Sequence, residues 1–219
     1  MFSLGNLNKY ISEYDGCHSI VMPLLESRII DYANNKRSLL HDKEYYMFYE
    51  FLFFEDDYFR IKKDILENNL TLDVVDIGCQ MGFQSEIFKD TNKYIGIDRY
   101  DFYFNQGDKN VAYITGLFPK QGVALEDKIV ISNMSLGYFN TYLGDEWNKD
   151  KGKLTYTDLM LIDKLSRAKI LYCTSTPSFI EELKTRYKNN RKIGGIHLAN
   201  VSDGVYKFWN WSIGGKQWK

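Results

Sequence analysis

The chain has 219 residues, 44% of them hydrophobic and 26% charged, with 28 Lys and Arg against 29 Asp and Glu and a formal net charge of -1. That is length for one well-buried domain with some decoration and not for a second independent one, and the even charge balance gives no global attraction to nucleic acid. Three cysteines, Cys17, Cys79 and Cys173, are odd in number and widely spaced, which argues against a disulfide framework and a zinc knuckle and fits a reducing compartment.

Residues 1–18 are mixed and carry no basic region followed by an apolar core, and no apolar run approaches the roughly 18 residues of a membrane span. A cytoplasmic protein with no membrane partner is expected. The 17 Tyr, 14 Phe and 4 Trp come with abundant Lys, Asn and Ile, so AT-rich coding explains the aromatics more simply than base stacking. There is no internal repeat and no low-complexity segment.

Ser19 to Asn34 spaces Val21, Leu24, Leu25, Ile29 and Ile30 as a helix does, and His41 to Asn69 reads as one or two helices with an aromatic face. That face, including Tyr58, Phe59, Ile61 and Ile65, is expected to be core. His18 and His41 have no partners at metal-ligand spacing, so no metal site is expected.

Asp73-Val74-Val75-Asp76-Ile77 is a short β-branched run without helical period, broken by Gly78-Cys79-Gln80-Met81-Gly82. A buried parallel strand reads this way. Phe83 to Lys89 follows as an amphipathic helix whose N-terminus faces the turn, where unpaired N–H groups would meet an electron-rich ligand group and a glycine would permit its close approach. Tyr94-Ile95-Gly96-Ile97-Asp98 is a second apolar strand closed by a carboxylate 20 residues after Gly78, which suits hydrogen bonding to two ribose hydroxyls.

These residues resemble the class I S-adenosylmethionine-dependent methyltransferases, whose first motif is an acid, any residue, and three glycines at alternate positions. Here it reads Asp76-Ile77-Gly78-Cys79-Gln80-Met81-Gly82. The resemblance implies that Asp76 helps to hold the methionine end of the cofactor S-adenosylmethionine, that Gly78 and Gly82 are the outer glycines and that Asp98 is the ribose acid. Gln80 replaces the middle glycine, and its side chain would narrow the cleft or demand another backbone angle. A dinucleotide fingerprint needs glycine at Gln80 and again at Phe83; both are missing, which disfavours a nicotinamide-dependent oxidoreductase.

Beyond the aromatic stretch from Arg99 to Gly107, Val111 to Ile114 is the third strand. The acid that the family usually places just past it is absent from Thr115-Gly116-Leu117, so adenine recognition falls to backbone groups and to Arg99, Tyr100 or Leu117. Lys128 to Ser132 is the fourth strand, and Asn133-Met134-Ser135-Leu136-Gly137-Tyr138 stands where the family keeps its catalytic or substrate-positioning motif. Ligands of open α/β sheets lie outside the carboxyl ends of the strands. Asn133 is therefore expected to touch cofactor and substrate, with Ser135 bonding the substrate and Tyr138 packing on it. None is a strong base. The paired prolines of the amino-methylating nucleic-acid enzymes and the Pro-Cys of the carbon-methylating ones are both missing.

Phe139 to Thr155 is long and polar and reads as a substrate lid; Thr157 to Ala168 is helical, Lys169 to Thr174 is the fifth strand, and Phe179 to Asn189 is a helix entered through Pro177. Lys192 to Leu198 and Val205 to Ile213 form a hairpin. The sequence is thus identified as one α/β domain, a seven-stranded mostly parallel Rossmann-like methyltransferase sheet with a terminal antiparallel strand. Residues 1–69 form an N-terminal helical cover within that domain and residues 70–219 the cofactor-binding core. The acceptor is unknown; a small molecule or a protein is favoured and nucleic acid stays open. The alternative, motivated by Gln80 and the missing acid near Gly116, is a non-catalytic methyltransferase-like binding module.

Overall fold

The computed structural model describes residues 56–99, 107–119, 122–133, 135–136, 154–194 and 204–210. The expected helix at Ser19 to Asn34, Tyr100, Tyr138 and nearly all of the expected lid lie outside them. Helix α1 is described over residues 56–67. It is followed by β1 Val74–Ile77, α2 Ser85–Phe88, β2 Tyr94–Asp98, β3 Val111–Thr115, β4 Ile129–Asn133, α3 Tyr156–Leu165, β5 Ile170–Thr174, α4 Pro177–Arg186, β6 Asn189–Gly194 and β7 Val205–Trp209.

Seven strands form one sheet in the order β3-β2-β1-β4-β5-β7-β6. The pairs from β3 to β5 are parallel, and β7 is antiparallel to both β5 and β6. The last strand therefore enters between its predecessors, as the resemblance implies. The order reverses between β1 and β4, which makes the carboxyl ends of these two strands the switch point where such sheets leave a crevice.

Strands β1, β4 and β5 are buried along their whole length, because a parallel strand covered on both faces must be apolar on both. Alternation sends Val74, Tyr94, Ile129, Ile131, Ile170 and Tyr172 to one face, against Tyr58, Ile61 and Ile65 of α1 and Phe88 of α2. Val75, Ile97, Val130, Leu171 and Phe208 go to the other, against Leu161, Ile162 and Leu165 of α3 and Phe179, Ile180 and Leu183 of α4. Part of the aromatic face of residues 41–69 is thus core. A capping box starts α3: the Thr155 hydroxyl accepts from the Asp158 N–H at 3.1 Å, and the Thr155 N–H donates to Asp158 Oδ2 at 2.8 Å.

Several boundaries differ from the sequence reading: α3 ends at Leu165 and not at Ala168, β6 begins at Asn189 and not at Lys192, and β7 ends at Trp209 and not at Ile213. The helix expected from Phe83 to Lys89 is only Ser85–Phe88, because three-residue turns wind the chain up to it: Gly82 N–H donates to the Cys79 carbonyl, Ser85 to Gly82 and Glu86 to Phe83. The helix expected to reach Asn189 stops at Arg186, and Asn189 already begins β6. Tyr187 sets the stop. It is extended, its hydroxyl donates to the Leu165 carbonyl at 2.7 Å, and its ring lies 5.4 Å from that of Phe208.

A buried ionic cluster ties α1 to the antiparallel end of the sheet. Asp64 Oδ2 accepts from Lys207 Nζ and from the Tyr172 hydroxyl, each at 2.6 Å, while Oδ1 accepts from Arg191. Among the described residues no helix is long and apolar enough to cross a membrane, and no group of His, Cys, Asp and Glu is placed to hold a metal.

Candidate functional site

The turn after β1 stands at this switch point. Glycine-like backbone angles persist through it: Gly78 has φ +78, Gln80 +49 and Gly82 +74. Gln80 thus keeps the left-handed angle of the glycine it replaces, which a non-glycine residue adopts at a cost, and the other backbone angle that its side chain was expected to demand does not arise.

The turn is bound to β2 through its own N–H groups. Gly78 and Cys79 donate to the Ile97 carbonyl at 2.8 and 3.3 Å, and Gln80 N–H donates to Asp98 Oδ2 at 2.8 Å. These three turn donors are thus bound within the fold. The sequence reading left the N–H groups at the helix N-terminus unpaired for a ligand; there Ser85 and Glu86 donate to the Gly82 and Phe83 carbonyls, and a four-residue α2 adds little dipole. The buried Asp98 carboxylate is a fastener of the turn as well as the acid at the end of β2.

The outer glycines have structural occupants. A Cβ on Gly78 would lie 2.2 Å from Ser135 Cβ, and one on Gly82 would lie 2.4 Å from the Tyr113 ring. Ser135 sits on the turn through its hydroxyl, which donates to the Ile77 carbonyl at 2.6 Å and lies 3.0 Å from Ser132 Oγ. Tyr113 reaches across β2, where Gly96 makes room for it, and donates to the Gly82 carbonyl at 3.1 Å. No sequence spacing announces either contact.

Asp76 lies behind the turn, fully buried. Its Oδ2 accepts from the Tyr94 hydroxyl and from Gln84 Nε2, both at 2.7 Å. Burial is the main force on its carboxyl and pushes it up to about 7, against the lowering effect of the Tyr94 and Gln84 hydrogen bonds and with the Asp98 charge raising it further. Its Oδ1 has no hydrogen-bond partner among the described residues. Burial also drives the Tyr94 and Tyr58 phenols and the Cys79 thiol upward, so all three are neutral. Cys173 is buried and pushed up to about 12, a packing residue.

Asn133 ends β4 on the same face as Ile129 and Ile131. It is buried, and neither its Nδ2 nor its Oδ1 has a partner among the described residues. Arg99 is exposed and Leu117 half-buried. The structure therefore gathers Gly78, Gln80, Gly82, Asp98 and Ser135 around one turn, with Asp76 behind it and Asn133 at the end of the next strand.

No family model matches the chain, and no curated protein does. Among solved structures it is similar to WbdD in complex with the kinase inhibitor LY294002, with a TM-score of 0.50 at 16% identity over 93% of this chain and 47% of that one. Another structure of WbdD, a bifunctional kinase-methyltransferase, gives 0.47 at 19% identity over 70% and 38%. The E. cuniculi Mtq2-Trm112 complex, responsible for methylation of the eRF1 translation termination factor, gives 0.49 at 14% identity over 71% and 96%. The chain spans about half the length of the WbdD chain or less. The likeness is one of fold, and with the strand order it gives the class I methyltransferase fold.

Proposed function

We propose that the chain is an S-adenosylmethionine-dependent methyltransferase, with residues 70–219 as its core and residues 1–69 as a cover, acting in the cytoplasm on a small molecule or a protein. The observation that carries this reading is the Asp98 carboxylate fastened 2.8 Å from the Gln80 N–H. A carboxylate beside a left-handed turn at the switch point of the sheet supports the reading of Asp98 as the ribose acid. The residues present suit the cofactor: acceptor capacity at Asp98 for ribose hydroxyls, a second buried acid at Asp76 in a site that must take a sulfonium cation, and unpartnered polar atoms on Asn133 at the next strand end.

When bound, the cofactor supplies a methyl group whose carbon–sulfur bond breaks toward sulfur as the acceptor's lone pair bonds to carbon. Alignment and exclusion of water can then do most of the catalysis, which fits acceptor-side residues of which none, Asn133, Ser135 or Tyr138, is a strong base. In this reading Asp98, Arg99 and Leu117 border the adenosine, Asp76 and the turn from Gly78 through Gln80 to Gly82 face the methionine end, and Asn133, Ser135 and Tyr138 meet the acceptor.

Calorimetric titration of cofactor-free protein with S-adenosylmethionine and S-adenosylhomocysteine tests the reading. Binding is expected, and Asp98→Ala should weaken it by about tenfold or more, the worth of charge-assisted hydrogen bonds to the ribose. A folded preparation that binds neither ligand refutes it. Gly78→Val is a poorer probe, since any Cβ there strikes Ser135 whether or not a ligand binds.

A further inference from the structure

Asn133 has a neighbour in the same condition. Thr174 ends β5 in register with Asn133; it is 2% exposed where Asn133 is 8%, and its Oγ1 also lacks a partner among the described residues. Alternation puts both side chains on one face, Asn133 after Ile129 and Ile131, and Thr174 after Ile170 and Tyr172.

Three unpartnered polar atoms on adjacent strand ends are costly, about 1–3 kcal/mol for each if nothing meets them. The described serines beside them are paired. Ser132 and Ser135 lie 3.0 Å apart, and Ser175 Oγ donates to the Leu136 carbonyl at 2.6 Å, fastening the loop after β4 to the end of β5. Both strand ends are therefore held in place while Asn133 and Thr174 stay unsatisfied.

We propose that Asn133 and Thr174 together form the subsite that positions the methyl acceptor, through an uncharged amide-type group of the acceptor. The inference rests on the methyltransferase reading above. The chemistry follows from the atoms. Asn133 presents an NH2 donor group beside a carbonyl acceptor, which a C=O and an N–H side by side complement reciprocally, and the Thr174 hydroxyl can serve either of them. Adjacent strands run about 4.8 Å apart, so one small group spans both side chains. An anionic head group would want a countercharge, and the buried cation described on this face, Lys207, is bonded to Asp64; a cationic one would go to Asp76, the buried acid of the neighbouring β1 on the same face, whose Oδ1 has no partner among the described residues, and not to the neutral pair.

The test uses the full chain, 15N-labelled and saturated with S-adenosylhomocysteine, titrated with acetamide, N-methylacetamide, acetate and methylammonium. The side-chain amide signal of Asn133, identified by its loss in Asn133→Leu, reports occupancy. Acetamide should move it saturably, with an affinity on the order of millimolar or weaker for so small a probe. Acetate and methylammonium should leave it in place. Thr174→Val should weaken acetamide several-fold and Thr174→Ser should restore it, while both keep their affinity for S-adenosylhomocysteine.

N-methylacetamide binding as well as acetamide assigns the subsite to a peptide-type amide, and acetamide alone assigns it to a primary carboxamide. Equal response to acetate, silence toward both amides, or indifference to Thr174→Val overturns the inference and leaves the pair to ordered water. If S-adenosylhomocysteine does not bind, the methyltransferase reading fails by itself, and the amide titration on the unliganded protein still decides the role of the pair.

Discussion

Two buried aspartates face the same side of the sheet and are treated in opposite ways. Asp64 receives two cations and a phenol: Lys207, Arg191 and Tyr172 all donate to it. Burial pushes its carboxyl up, but the hydrogen bonds from Lys207 and Tyr172 and the charges of Lys207 and Arg191 outweigh that and hold it below the ordinary aspartate range. Asp76 is more deeply buried still and receives only neutral donors, from Tyr94 and Gln84, and one of its oxygens has no partner among the described residues. The first acid is completed by the fold and fastens α1 to β5, β6 and β7. The second is left short of a cation, behind the turn that would meet one.

Breaking the completed cluster should have the largest effect. Asp64→Ala leaves Lys207 buried without its carboxylate, and loss of one partner from a buried pair costs about 3–5 kcal/mol. Urea denaturation followed by circular dichroism would measure it. The double substitution Asp64→Leu with Lys207→Met should cost clearly less than Asp64→Ala, because it removes the stranded charge together with its partner. A loss below about 1 kcal/mol for Asp64→Ala would place the cluster in water and end its contrast with Asp76.

The second acid predicts a pH dependence of definite sign. Its folded pKa, about 7, stands above the unfolded value of roughly 3.9, so the stability associated with its proton is fully present below about pH 4 and is lost as pH rises to about 7, flattening above. The slope is at most about 1.4 kcal/mol per pH unit. Asp76→Asn should flatten the stability profile across that window, as read from denaturation midpoints at a series of pH values. Asp64, held low, contributes in the other sense: its share is present above the unfolded pKa and lost as pH falls through the folded one. An unchanged slope in Asp76→Asn would mean that Asp76 is as well compensated as Asp64.

The contrast also separates what the sequence carries from what it hides. The β-branched runs at Val74–Ile77, Ile129–Asn133 and Ile170–Thr174 are legible because a strand buried on both faces has little choice of residue. The turn with Asp98 is legible because its parts lie within one βαβ unit. The cluster at Asp64 is not, since Lys207 is 143 residues away and only the finished sheet brings them together. Strand β6, Asn-Asn-Arg-Lys-Ile-Gly, is polar because it is an edge, so Asn189 at its start reads as the end of a helix and only Lys192 onward reads as strand. Thr174 looks like an ordinary strand end until its register with Asn133 is known.

The smallest expected effect concerns the residue that departs from the glycine pattern. Gln80 holds φ +49, a conformation that costs an L residue roughly 1–2 kcal/mol, while glycine would relieve that strain and give back roughly 0.5–1 kcal/mol in chain entropy. Gln80→Gly should therefore leave the fold equally stable or more stable by up to about 1.5 kcal/mol, with the N–H bond to Asp98 kept. Its use lies in the ligand titration run beside the melting curve. Unchanged affinity for S-adenosylhomocysteine means that Gln80 only copies the glycine backbone; a tenfold gain means that its half-buried side chain narrows the crevice, and a loss means that the side chain itself touches the ligand. Only the last outcome would place Gln80 with Asp98 as a residue kept for binding, and it would make the departure from glycine a feature of specificity in place of a tolerated strain.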